Sequence, residues 1–171
     1  MDMNTSTYFD NIKRIAILCF QDSRKDLIEW SYANKNILKK HIIISTARTA
    51  SLLEGTLDVP VLNLHHGRSG GYQQIRALLL DEKIDVILFF GNPLLQENRD
   101  SWFNELVNVA ISKDAVVGYN PATISMLLQS IDESTQVSDS SLIQLMRTRV
   151  ANETNGLAIV NNTINAAYEN R

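Results

Sequence analysis

His65 to Gln74 reads HHGRSGGYQQ and joins an apolar run to a stretch with helical spacing. Gly67, Gly70 and Gly71 let a backbone turn tightly and approach a ligand closely. A helix beginning near Gly71 would aim free N–H groups, with its positive dipole end behind them, at an anion. The chemistry such a loop supports is phosphate binding, and His66 and Tyr72 are the candidates within it for moving a proton. The same glycines also suit a plain strand-to-helix turn without a ligand.

A second stretch, STARTAS (45–51), follows another apolar run. The hydroxyls of Thr46 and Thr49 suit phosphate oxygens and Arg48 adds charge, while the plainer role of either threonine is a helix N-cap. In QDSRKD (21–26), Ser23 with Asp26 matches an N-terminal capping box, and Arg24 faces either a crevice or solvent. In GNPLLQENRDSW (91–102), Asn92-Pro93 is a turn signal, and Asp100 or Ser101 caps a helix starting near Trp102. Arg99 there is either a ligand clamp or one more surface arginine. Cys19 has no activating partner in view and is expected to be a small apolar filler. His65 and His66 lack the spaced companions of a zinc site, so no metal is expected.

These loops need a frame. RIAILCF (14–20), HIIIS (41–45), VPVLNL (59–64), IDVILFF (84–90) and AVVGY (115–119) are short and rich in β-branched residues. Such runs read as strands buried on both faces. Amphipathic spacing predicts helices over 23–39, 72–81, 101–112 and 122–129. The alternation implies an α/β fold: a three-layer, Rossmann-like, doubly wound and mostly parallel five-stranded sheet. Ligands in such sheets bind beyond the carboxyl ends of the strands. The segments expected to converge are therefore 20–24, 46–50, 65–72, 91–102 and 120–123.

Past Ser130 the texture changes. IDESTQVSDSS reads as a loop, SLIQLMRTRVANE as an amphipathic helix and GLAIV as a possible edge strand. The expected organisation is one domain over 1–130 with a short N-terminal arm, and 131–171 as its C-terminal loop and helical extension. With 171 residues, 44% apolar and 20% charged, the chain suits a single soluble core. Its formal charge of −3 argues against general affinity for nucleic acid or an anionic membrane. No signal peptide or membrane span is visible, and one cysteine fits a reducing cytoplasm.

The loops, in this order, resemble the methylglyoxal synthase family. GGYQQ, KIDVILFF followed by NPL, and NPATISMLLQS carry the likeness, which runs from about Arg14 to Ser130. The resemblance implies conversion of dihydroxyacetone phosphate to methylglyoxal and phosphate, without a cofactor. It implies a homo-oligomer too, by likeness a hexamer, in which a C-terminal arginine reaches a neighbour's phosphate site. Arg147 or Arg149 would be the equivalent here.

That reaction needs a base, an electrophile for the enediolate and donors for the departing phosphate. By resemblance the base, an aspartate, falls at Tyr72, and a His-Asp pair falls at Phe20 and Gln21. The family's lysine falls at Arg24, and its Asp-Pro at Asn92-Pro93. An electrophilic histidine falls at Arg99, a carboxylate at Trp102, and the serine of the glycine loop at His66. Thr46 and Thr49 are kept, with Arg48 between them. A tyrosine with pKa near 10 is a poor base at neutral pH, and Gln21 and Asn92 cannot titrate.

Carboxylates are thus exchanged for neutral or aromatic side chains while Arg48, Arg68 and Arg99 arrive. The expectation is a protein that binds a phosphorylated small molecule, a nucleotide or a multiply phosphorylated metabolite, as a sensor, with the parent activity lost. Tyr72, Trp102, Phe20 and His66 offer flat surfaces for a base. Two enzyme readings stay open. One is a divergent synthase with Asp22 shifted into the site. The other is nucleotide processing, such as phosphodiester cleavage, with His66 as acid or base.

Overall fold

The computed structural model describes residues 12–92 and 101–134, together with Thr148, Ala151 and Asn152. The strands are β1 (Arg14–Cys19), β2 (Ile42–Thr46), β3 (Leu62–Leu64), β4 (Val86–Phe90) and β5 (Val116–Gly118). All neighbours pair in parallel, in the order β3-β2-β1-β4-β5. The winding therefore reverses between β1 and β4, which opens a crevice above their carboxyl ends. The helices are α1 (Arg24–Ala33), α2 (Lys35–Leu38), α3 (Ala47–Leu57), α4 (Gly71–Leu80), α5 (Ser101–Ser112) and α6 (Pro121–Ser134).

Strand side chains alternate between two separate cores, which makes three layers. Ala16, Leu18, Ile87 and Phe89 face one core, shared with Ile75, Leu78 and Leu79 of α4 and Leu106 and Ala110 of α5. Ile15, Ile17, Leu88 and Phe90 face the other, with Leu27, Leu53, Leu57, Ile124 and Leu128. β2 and β4 are buried along their whole length, as expected of central strands in a covered parallel sheet.

The structure departs from the sequence reading in several places. The helical pattern over 23–39 is three pieces: a 3-10 turn at Gln21–Ser23, then α1, then α2. It breaks at Asn34, whose side-chain amide donates to the Trp30 carbonyl at 2.8 Å and so closes the helix end. Helix α3 is one that periodicity did not mark. Its buried stripe is Thr49, Ala50, Leu53 and Leu57, with a threonine standing in an apolar position. β3 begins at Leu62, because Pro60 has no N–H to give to a ladder and the Val61 N–H donates to the Glu54 carboxylate at 3.0 Å.

The loop expected from 131 is also corrected, since α6 continues to Ser134 and passes the boundary drawn at 130. Ile131 packs on the same core as Ile124, Leu127 and Leu128, and Asp132 pairs with Lys40 at 2.7 Å. Residues 1–11 and most of 135–171 lie outside the described residues, the expected edge strand and Arg147 and Arg149 included; Thr148, Ala151 and Asn152 are helical. Among the described residues no helix is long and apolar enough to cross a membrane.

Candidate functional site

A cavity of about 950 Å³ opens above the carboxyl ends of β1, β2 and β3. Each wall is the first turn after a strand. From β1 come Phe20, Gln21, Asp22 and Arg24; from β2, Thr46, Arg48 and Thr49; from β3, His66, Gly67 and Arg68. Arg24, left undecided between crevice and solvent by its spacing, lines the crevice. Arg48 and Arg68 are solvent-exposed and line the same opening. Arg24 and Arg48 form no ion pair among the described residues, so neither charge is neutralised by one of their carboxylates. Thr46 occupies the N-cap position of α3 without a side-chain capping bond, which removes the plainer role suggested for it.

The glycine loop is held as a rigid turn. The buried Gln74 side chain accepts from the His65 N–H at 2.8 Å. The N–H groups of Ser69 and Gly71 both donate to the His66 carbonyl at 2.9 Å. Gly70 sits at φ +104°, and a Cβ on Gly71 would run into the carbonyls of His65 and His66 and the Thr46 methyl. Neither Gly70 nor Gly71 lines the cavity, and the Gly71 N–H is already used. These two positions, expected to bind a ligand, shape the turn instead. Gly67 differs: it lines the cavity, and a Cβ there would strike the ring of Tyr72.

Tyr72 is held between that glycine and Trp102. Its ring is stacked on the indole, with centroids 3.9 Å apart and planes 6° from parallel. Phe20 closes the other side, 5.3 Å from the Trp102 ring and 5.9 Å from Phe103. Gly91, at φ +127°, leaves room for the Phe20 ring, which a Cβ would meet at 2.6 Å. The flat surfaces expected to receive a base are thus largely spent on each other.

Cys19 reaches the cavity wall, but burial pushes its thiol up to about 12 against the pull of Arg24, and the thiol donates to the Phe20 carbonyl at 3.1 Å. A group so protonated at neutral pH is no nucleophile. Ser23 makes no side-chain bond to the start of α1, so the capping box with Asp26 does not form. The residue is buried, 9% exposed.

Asn92 is not in this cavity. It lines a second one of about 760 Å³, between β4, α5 and α6, which shares Asp22 with the first. This second chamber was not anticipated from sequence. Its signals were the aromatics Phe89, Phe90 and Phe103, read only as parts of a strand and a helix. Arg99 lies outside the described residues.

No family model matches the chain. Relatives do. It is 33% identical over 119 residues to the methylglyoxal synthase of Coxiella burnetii, covering 70% of this chain and 83% of that one. The chain belongs to the methylglyoxal synthase family. The methylglyoxal synthase of Clostridium acetobutylicum is 31% identical over 118 residues, covering 69% and 81%. A crystal structure of methylglyoxal synthase from Elizabethkingia anophelis NUHP1 aligns with TM-score 0.64 and 27% identity, over 69% of this chain and 78% of that one. In this chain the positions that the family resemblance assigns to a base and a nearby carboxylate are Tyr72 and Trp102, whose rings are stacked on each other.

Proposed function

We propose that this methylglyoxal synthase family member binds a phosphorylated small molecule in the arginine-lined crevice and no longer eliminates phosphate. The observation that carries this reading is the Tyr72–Trp102 stack over Gly67. It leaves no carboxylate where the resemblance puts the base. Losing a positioned general base costs about 10²–10⁴ in rate. Among the described residues Arg24, Arg48 and Arg68 line the cavity against one carboxylate, Asp22, and that excess favours an anion. The reading further takes the protein to be a cytoplasmic sensor and a homo-oligomer, by family likeness a hexamer.

The test pairs calorimetry with a methylglyoxal assay. Inorganic phosphate, sugar phosphates and nucleotides are titrated into the protein, and dihydroxyacetone phosphate is offered to wild type and Tyr72→Asp. The expected result is binding well below millimolar with wild-type turnover at background. Turnover in wild type, or no binding by any probe, would overturn the reading.

A second reading, a divergent synthase, is favoured by one observation: Asp22 lines the same cavity. It requires measurable wild-type turnover that disappears in Asp22→Asn.

A further inference from the structure

The two chambers above the sheet differ sharply in character, and together they describe a ligand with two unlike ends. The first carries three arginines. Among the described residues the second has no lysine, arginine or histidine on its wall, which is built largely of carbon, from Phe90, Phe103, Val107, Pro121 and Ile124. Its charged groups among those residues are the carboxylates Asp22 and Asp26. An anion is therefore attracted to one chamber and repelled from the other. Asp22 lines both, and Phe20 of the first packs against Phe103 of the second, so the chambers adjoin.

The polar groups of the apolar chamber include an acceptor and a donor on one helix. Asp26 and Trp30 are four residues apart on α1 and so neighbours on one helix face. Asp26 supplies an acceptor. The indole Nε1–H of Trp30 is a donor, buried with no hydrogen-bond partner. A buried donor left without an acceptor is costly, which makes it a group awaiting one. A flat heterocycle presenting an N–H beside a ring nitrogen or carbonyl oxygen would satisfy both.

Resting on the anion-binding reading above, we infer that the ligand is a nucleoside phosphate, its phosphate against Arg24, Arg48 and Arg68 and its base in the chamber between α1, α5 and α6, read by Asp26 and Trp30. The stacking surfaces first expected to hold a base are consumed by the Tyr72–Trp102 pair, which directs the ring to this second chamber. A mostly apolar pocket with a few convergent polar groups is the usual form of a small-molecule site.

The experiment is calorimetry with inorganic phosphate, ribose 5-phosphate and the nucleoside 5′-monophosphates on wild type, Trp30→Phe and Val107→Trp. At least one nucleotide should bind wild type tenfold or more tightly than ribose 5-phosphate. Val107→Trp, which fills the chamber, should erase that advantage and leave ribose 5-phosphate within threefold of wild type. Trp30→Phe keeps the ring and deletes the unpaired donor. It should cost the nucleotide fivefold or more while the melting temperature holds or rises, a combination a purely structural tryptophan would not give. If ribose 5-phosphate binds but no nucleotide binds more tightly, this inference is overturned and the anion-binding reading stands. If neither inorganic phosphate nor any other probe binds, both are overturned.

Discussion

The ring of Tyr72 lies flat on the indole of Trp102, centroids 3.9 Å apart, with Gly67 directly beneath it. Two near neighbours in sequence and a distant tryptophan thereby make one object, a plug of aromatic carbon at the place where the family resemblance puts proton transfer. The stack is possible because α4 starts immediately after a turn that only glycine fits, while α5 brings Trp102 over it from the neighbouring strand unit.

Gly67→Ala should therefore cost stability through the tyrosine. The added methyl overlaps the Tyr72 ring, and such overpacking costs about 1–3 kcal/mol. In a Tyr72→Ala background the same methyl has room, so its penalty should vanish. Urea unfolding of the two single variants and the double variant measures the coupling, expected at about 1 kcal/mol or more for groups in contact.

Removing a crevice arginine should weaken anion binding. Arg48→Ala and Arg68→Ala should each weaken inorganic phosphate binding by about tenfold, the loss of one charge-assisted hydrogen bond of roughly 1.5 kcal/mol. Arg76→Ala is the control: Arg76 pairs with Glu105 at 2.6 Å on α4 and α5, away from the cavity, and should leave affinity unchanged. Titration calorimetry at low and high salt reads both.

Acid should destabilise the fold through His41. Burial pushes its pKa down to about 4, with Lys40 and Lys13 adding to the effect and Asp132 opposing it. Its Nδ1 accepts from the Lys13 N–H at 3.3 Å, which fixes a neutral ring. The folded state thus binds this proton more weakly than the unfolded chain. The stability it contributes is complete above about pH 6.5 and is lost as pH falls toward about 4. Thermal melts across that window should show the fall, and His41→Gln should flatten it.

Much of this was legible in the sequence, for physical reasons. β-Branched runs such as IDVILFF read as strands covered on both faces, and their alternation with helical spacing implied the sheet. The crevice followed, because any parallel sheet gathers its strand-end loops on one side. Helix α3 was hidden because Thr49 occupies a core position, and α6 was cut short because Asp132, Glu133 and Ser134 read as polar loop although Ile131 continues the apolar stripe. That Gly71 serves the turn rather than a ligand depends on carbonyls from His65 and His66, a folded-state contact. The self-stacking of Tyr72 and Trp102 is likewise a tertiary fact, and with it the second chamber.

The account turns on a crevice that holds phosphate without abstracting a proton, and one NMR experiment in deuterated buffer addresses both halves. Dihydroxyacetone phosphate is mixed with the protein at neutral pH, its phosphorus signal is followed for binding and its carbon-bound protons for exchange. The account predicts a phosphorus signal shifted or broadened by the wild-type protein, and carbon-bound protons that persist as long as in buffer alone. Protein-dependent deuterium incorporation, or release of inorganic phosphate, would contradict it.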